Sequence, residues 1–308
     1  MDGFFNVFKP AGWTSFDVVA ALRGPLKQKR LGHGGTLDPA ATGVLPIAAG
    51  YATRLLEFLV EGDKEYVADI RLGRSTDTYD SEGIETSLGE WRGISIDNLS
   101  DELESFRGTI KQTPPAYSAV KVAGQPAYRR ARRGESVELS EREVTIHELE
   151  LISFEPPNIK LRVVCSKGTY LRSLANDLGE ALGCGAYLHG LIRSRVGPFR
   201  AGSAIPVDDL RTAALEGTSH RYVLSPDTVV LSMDAAILAS RSELEIRQGR
   251  TVRLYSGQHR AAERKLPLGR RCRAYTARGS LLGLLGYAGP PALWKPLKVF
   301  PEARIGSE

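Results

Sequence analysis

Residues 32–43 read Gly-His-Gly-Gly-Thr-Leu-Asp-Pro-Ala-Ala-Thr-Gly, with one carboxylate, Asp38, among small and turn-forming residues. Gly32, Gly34 and Gly35 open backbone angles closed to other residues and let a ligand approach the main chain. Pro39 fixes its own φ and pushes Asp38 toward an extended conformation. Such a segment suits neither a helix nor a packed strand, and it suits the presentation of one acid at the bottom of a site. Taken alone, an Asp-Pro pair beside glycines is a turn whose carboxylate bonds nearby N–H groups. Whether Asp38 does chemistry therefore depends on what other segments bring to it.

Metal and cofactor chemistry find no support in the residue spacing. Cys165, Cys184 and Cys272 are scattered without a Cys-x-x-Cys pair, and His33, His147, His189, His220 and His259 show no ligand spacing. No metal and no disulfide framework are expected, and the thiols fit a reducing cytoplasm. Neither a dinucleotide-binding fingerprint nor a P-loop is present, so no cofactor is expected. No apolar run reaches a membrane span, and the start of the chain lacks a signal-peptide pattern.

The elements that must position Asp38 can be read in outline. Phe4–Phe8 reads as a strand. Thr14 or Ser15 can cap a helix running from Asp17 to Leu22, with Asp17 at its positive end. Ala52–Leu59 reads as a helix. Lys64–Leu72 alternates, which predicts a strand whose first inward residue is Tyr66. Leu72–Gly83 reads as a polar loop and Ile96–Phe106 as an amphipathic helix. Val144–Phe154 and Ile159–Ser166 predict a hairpin. Thr169 can cap a helix over Tyr170–Leu182 with a stripe at Leu171, Leu174, Leu178 and Leu182. This ordering predicts an α+β fold with a mixed, largely antiparallel central sheet flanked by helices. From about Met233 the texture changes to short strands and glycine turns. Residues 1–232 and 233–308 are therefore expected to form a large domain and a small β-rich one.

With 308 residues, 42% hydrophobic and 25% charged, the chain has the composition of an ordinary globular protein. Its net charge of +5 says less than its distribution. Ser105–Gly134 holds Arg107, Lys111, Lys121, Arg129, Arg130, Arg132 and Arg133 and no acid, and Arg241–Arg278 holds eleven Arg/Lys against three Glu. Gln112–Gly134 adds three prolines and two tyrosines with weak periodicity, the texture of a long functional excursion from the fold. Two basic patches, one with aromatics, point to a polyanion.

Five further segments have a specific character in this order: Lys9-Pro10-x-Gly12-x-Thr14-Ser15; Lys64-x-Tyr66; Leu72-Gly73-x-x-Thr76-Asp77-Thr78-x-Asp80; Pro114-Pro115-x-Tyr117-Ser118-Ala119-x-Lys121; and Gly168-Thr169-Tyr170-x-Arg172 with Leu178-Gly179-x-x-Leu182. With the Asp38 loop they resemble the motifs of the bacterial tRNA pseudouridine synthases that modify uridine 55 of the T-loop, the TruB-type family. The resemblance extends over nearly the whole chain. It implies a pseudouridine-synthase fold with a thumb-like insertion at about 112–134 and a C-terminal domain similar to a PUA RNA-binding module. Two departures stand out: Leu191-Ile192-Arg193 where the family often has Leu-Arg-Arg, and Arg54 where Lys is common, a change that keeps charge but not geometry.

The resemblance implies cofactor-free cleavage of the uridine N1–C1′ bond, rotation of the base and rejoining through C5. Asp38 would be the nucleophile, because an aspartate is already ionised at neutral pH and needs no base. Attack at C6 of the base and chemistry at C1′ of the ribose both fit. Arg172 would pair with Asp38 and keep a carboxylate shielded from water charged. Tyr66 would stack on the flipped base and assist proton transfer from C5. Tyr170 would pack over the acid, Leu191 would line the uracil pocket, and His33 would hold the opened loop. Lys9, Tyr117, Lys121 and Arg132, with Tyr128, would contact the RNA. The implied partner is the T-arm of tRNA, met by a cytoplasmic monomer without guide RNA or protein partner. A guide-RNA-dependent relative and a non-catalytic RNA-binding or RNA-folding protein are the competing readings.

Overall fold

A computed structural model of the chain describes all residues except 119, 123, 132, 136–138, 255–265 and 302–308. The chain opens with β1 (Gly3–Lys9), buried along almost its whole length. Helix α1 (Ser15–Arg23) follows, started by a capping box in which Thr14 and Asp17 satisfy each other's backbone N–H groups. Strands β2 (Leu31–His33) and β3 (Thr42–Ala49) flank the Asp38 loop. The helix expected over Ala52–Leu59 is a 3-10 turn, Gly50–Leu55, that leads into the short α2 (Leu56–Glu61).

Strand β4 (Lys64–Leu72) has the expected limits and buries every second residue. Its first buried residue is Lys64 rather than Tyr66, because the ammonium reaches the Val60 and Gly62 carbonyls that end α2. The segment expected as a polar loop contains β5 (Arg74–Thr76), which pairs with β6 (Glu85–Leu88). Next come α3 (Ile96–Ser105) and β7 (Gly108–Gln112). The thumb-like excursion carries β8 (Lys121–Val122), β9 (Gln125–Pro126) and α4 (Ala127–Ala131).

The expected hairpin is formed by β10 (Arg142–Glu155) and β11 (Asn158–Cys165). Helix α5 (Leu171–Ala181) lacks the expected Thr169 cap: the Thr169 hydroxyl donates back to the Ser166 carbonyl, and Tyr170 is the capping position. Strands β12 (Ala186–Val196), β13 (Phe199–Arg200) and β14 (Ile205–Pro206) lead to α6 (Val207–Leu215). The C-terminal segment holds β15 (Asp234–Ile237), α7 (Ser240–Arg247), β16 (Val252–Arg253), β17 (Arg271–Tyr275), β18 (Leu281–Gly289) and β19 (Leu293–Val299).

The fold is α+β. The central sheet runs β14-β1-β3-β12-β4-β11-β10-β7, with β2 on β3 and β13 on β12. All its pairs are antiparallel except β1–β14 and β3–β12. Leu171, Leu174, Ala175 and Leu178 of α5 and Leu99 and Leu103 of α3 cover the alternating residues of β4 and β11. Val18, Val19 and Leu22 of α1 cover β1 and β3. A second sheet, β15-β17-β18-β19-β16, forms the C-terminal β-rich part around Trp294. It joins the larger body through a shared cluster that includes Leu55, Leu59, Val230, Leu284 and Phe300. Arg54 serves that joint, donating to the Val299 carbonyl (2.7 Å) with its guanidinium 5.2 Å from the Phe300 ring centre.

The parallel step from β3 to β12 brings Gly43 against Arg193. At Gly43 φ is +113°, and a Cβ there would lie 2.3 Å from the Arg193 carbonyl oxygen. Gly43→Ala is therefore expected to lower unfolding stability by about 3 kcal/mol in a denaturant titration. Gly12→Ala, at φ +81° in open space, should cost only about 1 kcal/mol.

Candidate active site

The Asp38 loop spans the gap between β2 and β3, and its carbonyls are held by cations from below. Lys9, fully buried, donates from Nζ to the Pro10, Trp13 and Pro39 carbonyls at 2.8, 2.6 and 3.0 Å. Arg193, 1% exposed, donates to the Val44, Thr36 and Gly35 carbonyls at 2.8, 3.2 and 3.0 Å. Ser15 Oγ accepts from the Leu37 N–H at 2.9 Å. The side chains of Leu37 and Ala41 enter the core cluster that contains Tyr66. With its apolar residues turned in and its carbonyls engaged, the loop projects Asp38 outward.

The Asp38 side chain is 49% exposed and meets Arg172 Nε at 3.0 Å. Arg172 itself is buried, although it lies off the helix stripe that the sequence suggests. Its Nη1 lies 3.4 Å from Asp80 Oδ2 and its Nη2 donates to the Tyr117 carbonyl at 2.9 Å. Asp80 is in turn fixed by the Thr78 hydroxyl (2.6 Å) and the Glu82 N–H. The expected ion pair is present, but with the burial reversed: the cation is enclosed and the acid is open to solvent. Two carboxylates and the Tyr117 and Thr78 carbonyls around one enclosed guanidinium meet the requirement that a buried charge be paired and hydrogen-bonded.

Tyr66 lies on β4 in register with Arg193 of β12 and Val163 of β11. Burial pushes its hydroxyl up, and Arg193 opposes that shift. Leu191 lies opposite Ala68, half-buried against the same cluster. His33, on β2, has its pKa lowered by burial and by the charge of Arg193, and its Nδ1 has no hydrogen-bond partner among the described residues. The Tyr170 main chain is clasped by the Gln112 side chain, which accepts from its N–H (2.7 Å) and donates to its carbonyl (3.1 Å). The Tyr170 ring lies 4.8 Å from the Arg142 guanidinium. Tyr117 contributes its carbonyl to Arg172. Lys121 starts β8, its side chain beyond what is described, and Arg132 lies outside the described residues.

The structure thus gathers Asp38, Arg172, Tyr66 and Leu191 at one place. It does not leave Lys9 free for RNA: all three ammonium protons point at carbonyls, and burial pushes its pKa down to about 8. Three residues outside the expected set prove central: Arg193, Asp80 and Gln112. Asp80 closes the Thr76–Asp80 motif and could have been found there. Arg193 closes the Leu191–Arg193 segment compared with the family's Leu-Arg-Arg, and Gln112 carries no sequence signal beyond its type.

Residues 23–171 match the family model described as TruB family pseudouridylate synthase (N terminal domain), and residues 172–238 match tRNA pseudouridylate synthase B C-terminal domain. The α+β fold is that of a pseudouridylate synthase. Among curated relatives, the tRNA pseudouridine synthase B of Dehalococcoides mccartyi strain 195 is 43% identical over 82% of this chain and 85% of its own length. That of Geotalea uraniireducens is 39% identical over 99% of this chain and 97% of its own. A solved Cbf5-Nop10-Gar1 complex contains a chain of similar fold, with TM-score 0.73 and 26% identity over 97% of this chain and 84% of that one. The chain belongs to the TruB family.

Lys9→Met leaves three carbonyls without their donor and is expected to lower unfolding stability by about 3 kcal/mol. With its ammonium engaged by three carbonyls, Lys9 makes no phosphate contact, and the salt slope of RNA binding by the variant should stay at the wild-type value. A slope reduced by about one unit would make Lys9 an RNA ligand instead.

Proposed function

We propose that the chain is a stand-alone tRNA pseudouridine synthase that isomerises uridine 55 of the T-loop. The observation that carries this reading is the Asp38–Arg172 pair at 3.0 Å, formed within the matched family region by residues of two distant motifs. The relatives' printed names supply the substrate class.

In this reading the target uridine leaves its stack, at a cost of a few kcal/mol, and enters the space beside Tyr66 and Leu191. Asp38 supplies the nucleophile, and Arg172 orients its carboxylate. The half-open acid becomes shielded only when RNA covers it, so the pairing is made before water is excluded. The N1–C1′ bond breaks, the base turns, and C5 bonds to C1′. The C5 proton then departs, its bonding electrons restore the ring double bond, N1, which carries no proton in uridine, gains one, and Asp38 leaves as the free carboxylate, so the reaction needs no redox partner. Tyr66 stacks on the base and lends its hydroxyl to the C5 proton step.

The excursion at 112–134 acts as a thumb, with Tyr117, Tyr128, Lys121 and Arg132 toward the RNA. Residues 233–308 act as a PUA-like RNA-binding domain, and residues 1–232 hold the chemistry. His33 helps hold the opened loop. The enzyme works as a cytoplasmic monomer. The full-length likeness to bacterial synthases named for tRNA favours this reading over a guide-RNA-dependent one. It also favours it over RNA binding alone, which leaves the Asp38–Arg172–Tyr66 constellation without a use.

Pseudouridine mapping on a bare tRNA transcript incubated with purified protein tests the proposal. Wild type should convert uridine 55 without added guide or protein. Asp38→Asn should bind tRNA and make no pseudouridine, while Arg172→Met should lose nearly all turnover. Conversion by Asp38→Asn at the wild-type rate would refute the reading. tRNA affinity should also fall steeply between low and high salt.

A further inference from the structure

Arg142 opens β10 and takes no part in the chemistry above. Its cross-strand neighbour on β7 is Gln112, the residue that clasps the Tyr170 main chain. Arg142 meets the same tyrosine at its ring, with the guanidinium 4.8 Å from the ring centre. Two residues further on, Arg172 pairs with Asp38. A guanidinium has five N–H donors and no acceptor. In Arg142, Nε and Nη2 are enclosed and have no hydrogen-bond partner among the described residues. The Tyr170 ring attracts the charge but accepts none of those N–H groups in an ordinary hydrogen bond. Enclosed donors without acceptors cost free energy. The third nitrogen, Nη1, lies beside open space: a Cβ added at Gly168 would sit 3.7 Å from it, with no other described atom within 4 Å, chain neighbours aside. The turn that carries Gly168 is fixed, because Ser166 exchanges hydrogen bonds with Thr145 and accepts one from the Thr169 hydroxyl.

We propose that Arg142 binds a backbone phosphate of the RNA, which reaches the guanidinium through the opening at Gly168. The proposal rests on the reading in which T-arm RNA enters beside Asp38. A phosphodiester is the acceptor that fits, since its two unbridged oxygens match the fork of a guanidinium. The acids that flank Arg142, Glu141 and Glu143, are exposed and leave its enclosed donors unpaired. The segment Ser105–Gly134, with seven bases and no acid, passes through Gln112 beside Arg142, and its field favours an anion there. Glycine at 168 lets the RNA backbone come close to the turn. A phosphate seated on Arg142 fixes the RNA against the start of α5 and sets its register without reading a base.

The test is binding of a T-arm RNA hairpin to the full chain as wild type, Arg142→Lys and Arg142→Met over a range of salt, with thermal melting of each. Arg142→Met keeps an apolar stem against the Tyr170 ring and removes the donors. Its affinity should fall about tenfold, as for loss of a charged hydrogen bond, and its salt slope by about one unit, with melting close to wild type. Arg142→Lys keeps the charge, so it should keep the slope and recover part of the affinity. Wild-type affinity and slope in Arg142→Met would overturn the proposal. So would an affinity loss that follows the melting temperature with the slope intact, which marks a structural role only. Hairpins with one phosphate at a time replaced by a neutral methylphosphonate locate the contact. One such position should weaken binding to wild type and leave Arg142→Met unaffected; if no position behaves so, the contact does not exist. A further measurement leaves Arg142 in place and stands if Arg142→Met does not fold. In wild type labelled with ¹⁵N-arginine, the Arg142 signals, assigned by their absence from Arg142→Lys, should shift when the hairpin is added, and unshifted signals would overturn the proposal. If wild type neither binds nor converts T-arm RNA, the underlying reading has failed. A wild-type-like Arg142→Met beside an active wild type refutes only the role of Arg142.

Discussion

The enclosed guanidinium of Arg172 is the interaction on which the site depends. A charge without water must be surrounded by partners, and here they come from three places in the chain: the Asp38 loop, Asp80 of the Thr76–Asp80 motif, and the Tyr117 carbonyl at the root of the thumb. Removing one partner of such a set typically costs about 3–5 kcal/mol. The electrostatic requirement of one side chain therefore assembles segments that the sheet alone would leave apart. The Gln112 clasp on Tyr170 and the Ser173 hydroxyl bonded to the Thr113 carbonyl fasten the same thumb root to the same helix start.

A second set of cations lies beneath the loop. Lys9 and Arg193 bond main-chain carbonyls rather than carboxylates. A glycine-rich loop has few side chains to anchor it, and its backbone would otherwise be free to choose among many conformations. Buried donors aimed at its carbonyls remove that freedom. Asp38 owes its direction to buried groups beneath the loop.

Periodicity made the scaffold readable. The alternation over Lys64–Leu72 gave β4 its limits, and the apolar stripe gave α5, because both patterns record burial along one element. The short β5–β6 pair escaped because both strands are short and mostly polar, and β6 is exposed throughout. In the sequence Lys9 opens a motif and reads as an RNA contact, and Arg193 only ends the Leu191–Arg193 segment. What defines them is a set of carbonyls as far as 30 positions from Lys9 and 158 from Arg193, which no local pattern records. The partnership of Asp38 with Arg172 was legible only through the family's motif order, because neither residue alone announces the other.

The joint between the two sheets is made of directional contacts as well as apolar ones. Tyr51 stacks on Phe300 at 4.9 Å, Arg54 bonds the Val299 carbonyl, and Lys298 pairs with Glu57 at 3.2 Å. Such a joint makes the C-terminal sheet a bracket rather than a tether. A flexible linker would let the second surface sample many distances and would dilute it accordingly. A fixed bracket works as a gauge: a polyanion that touches both surfaces must have the right span between its two points of contact.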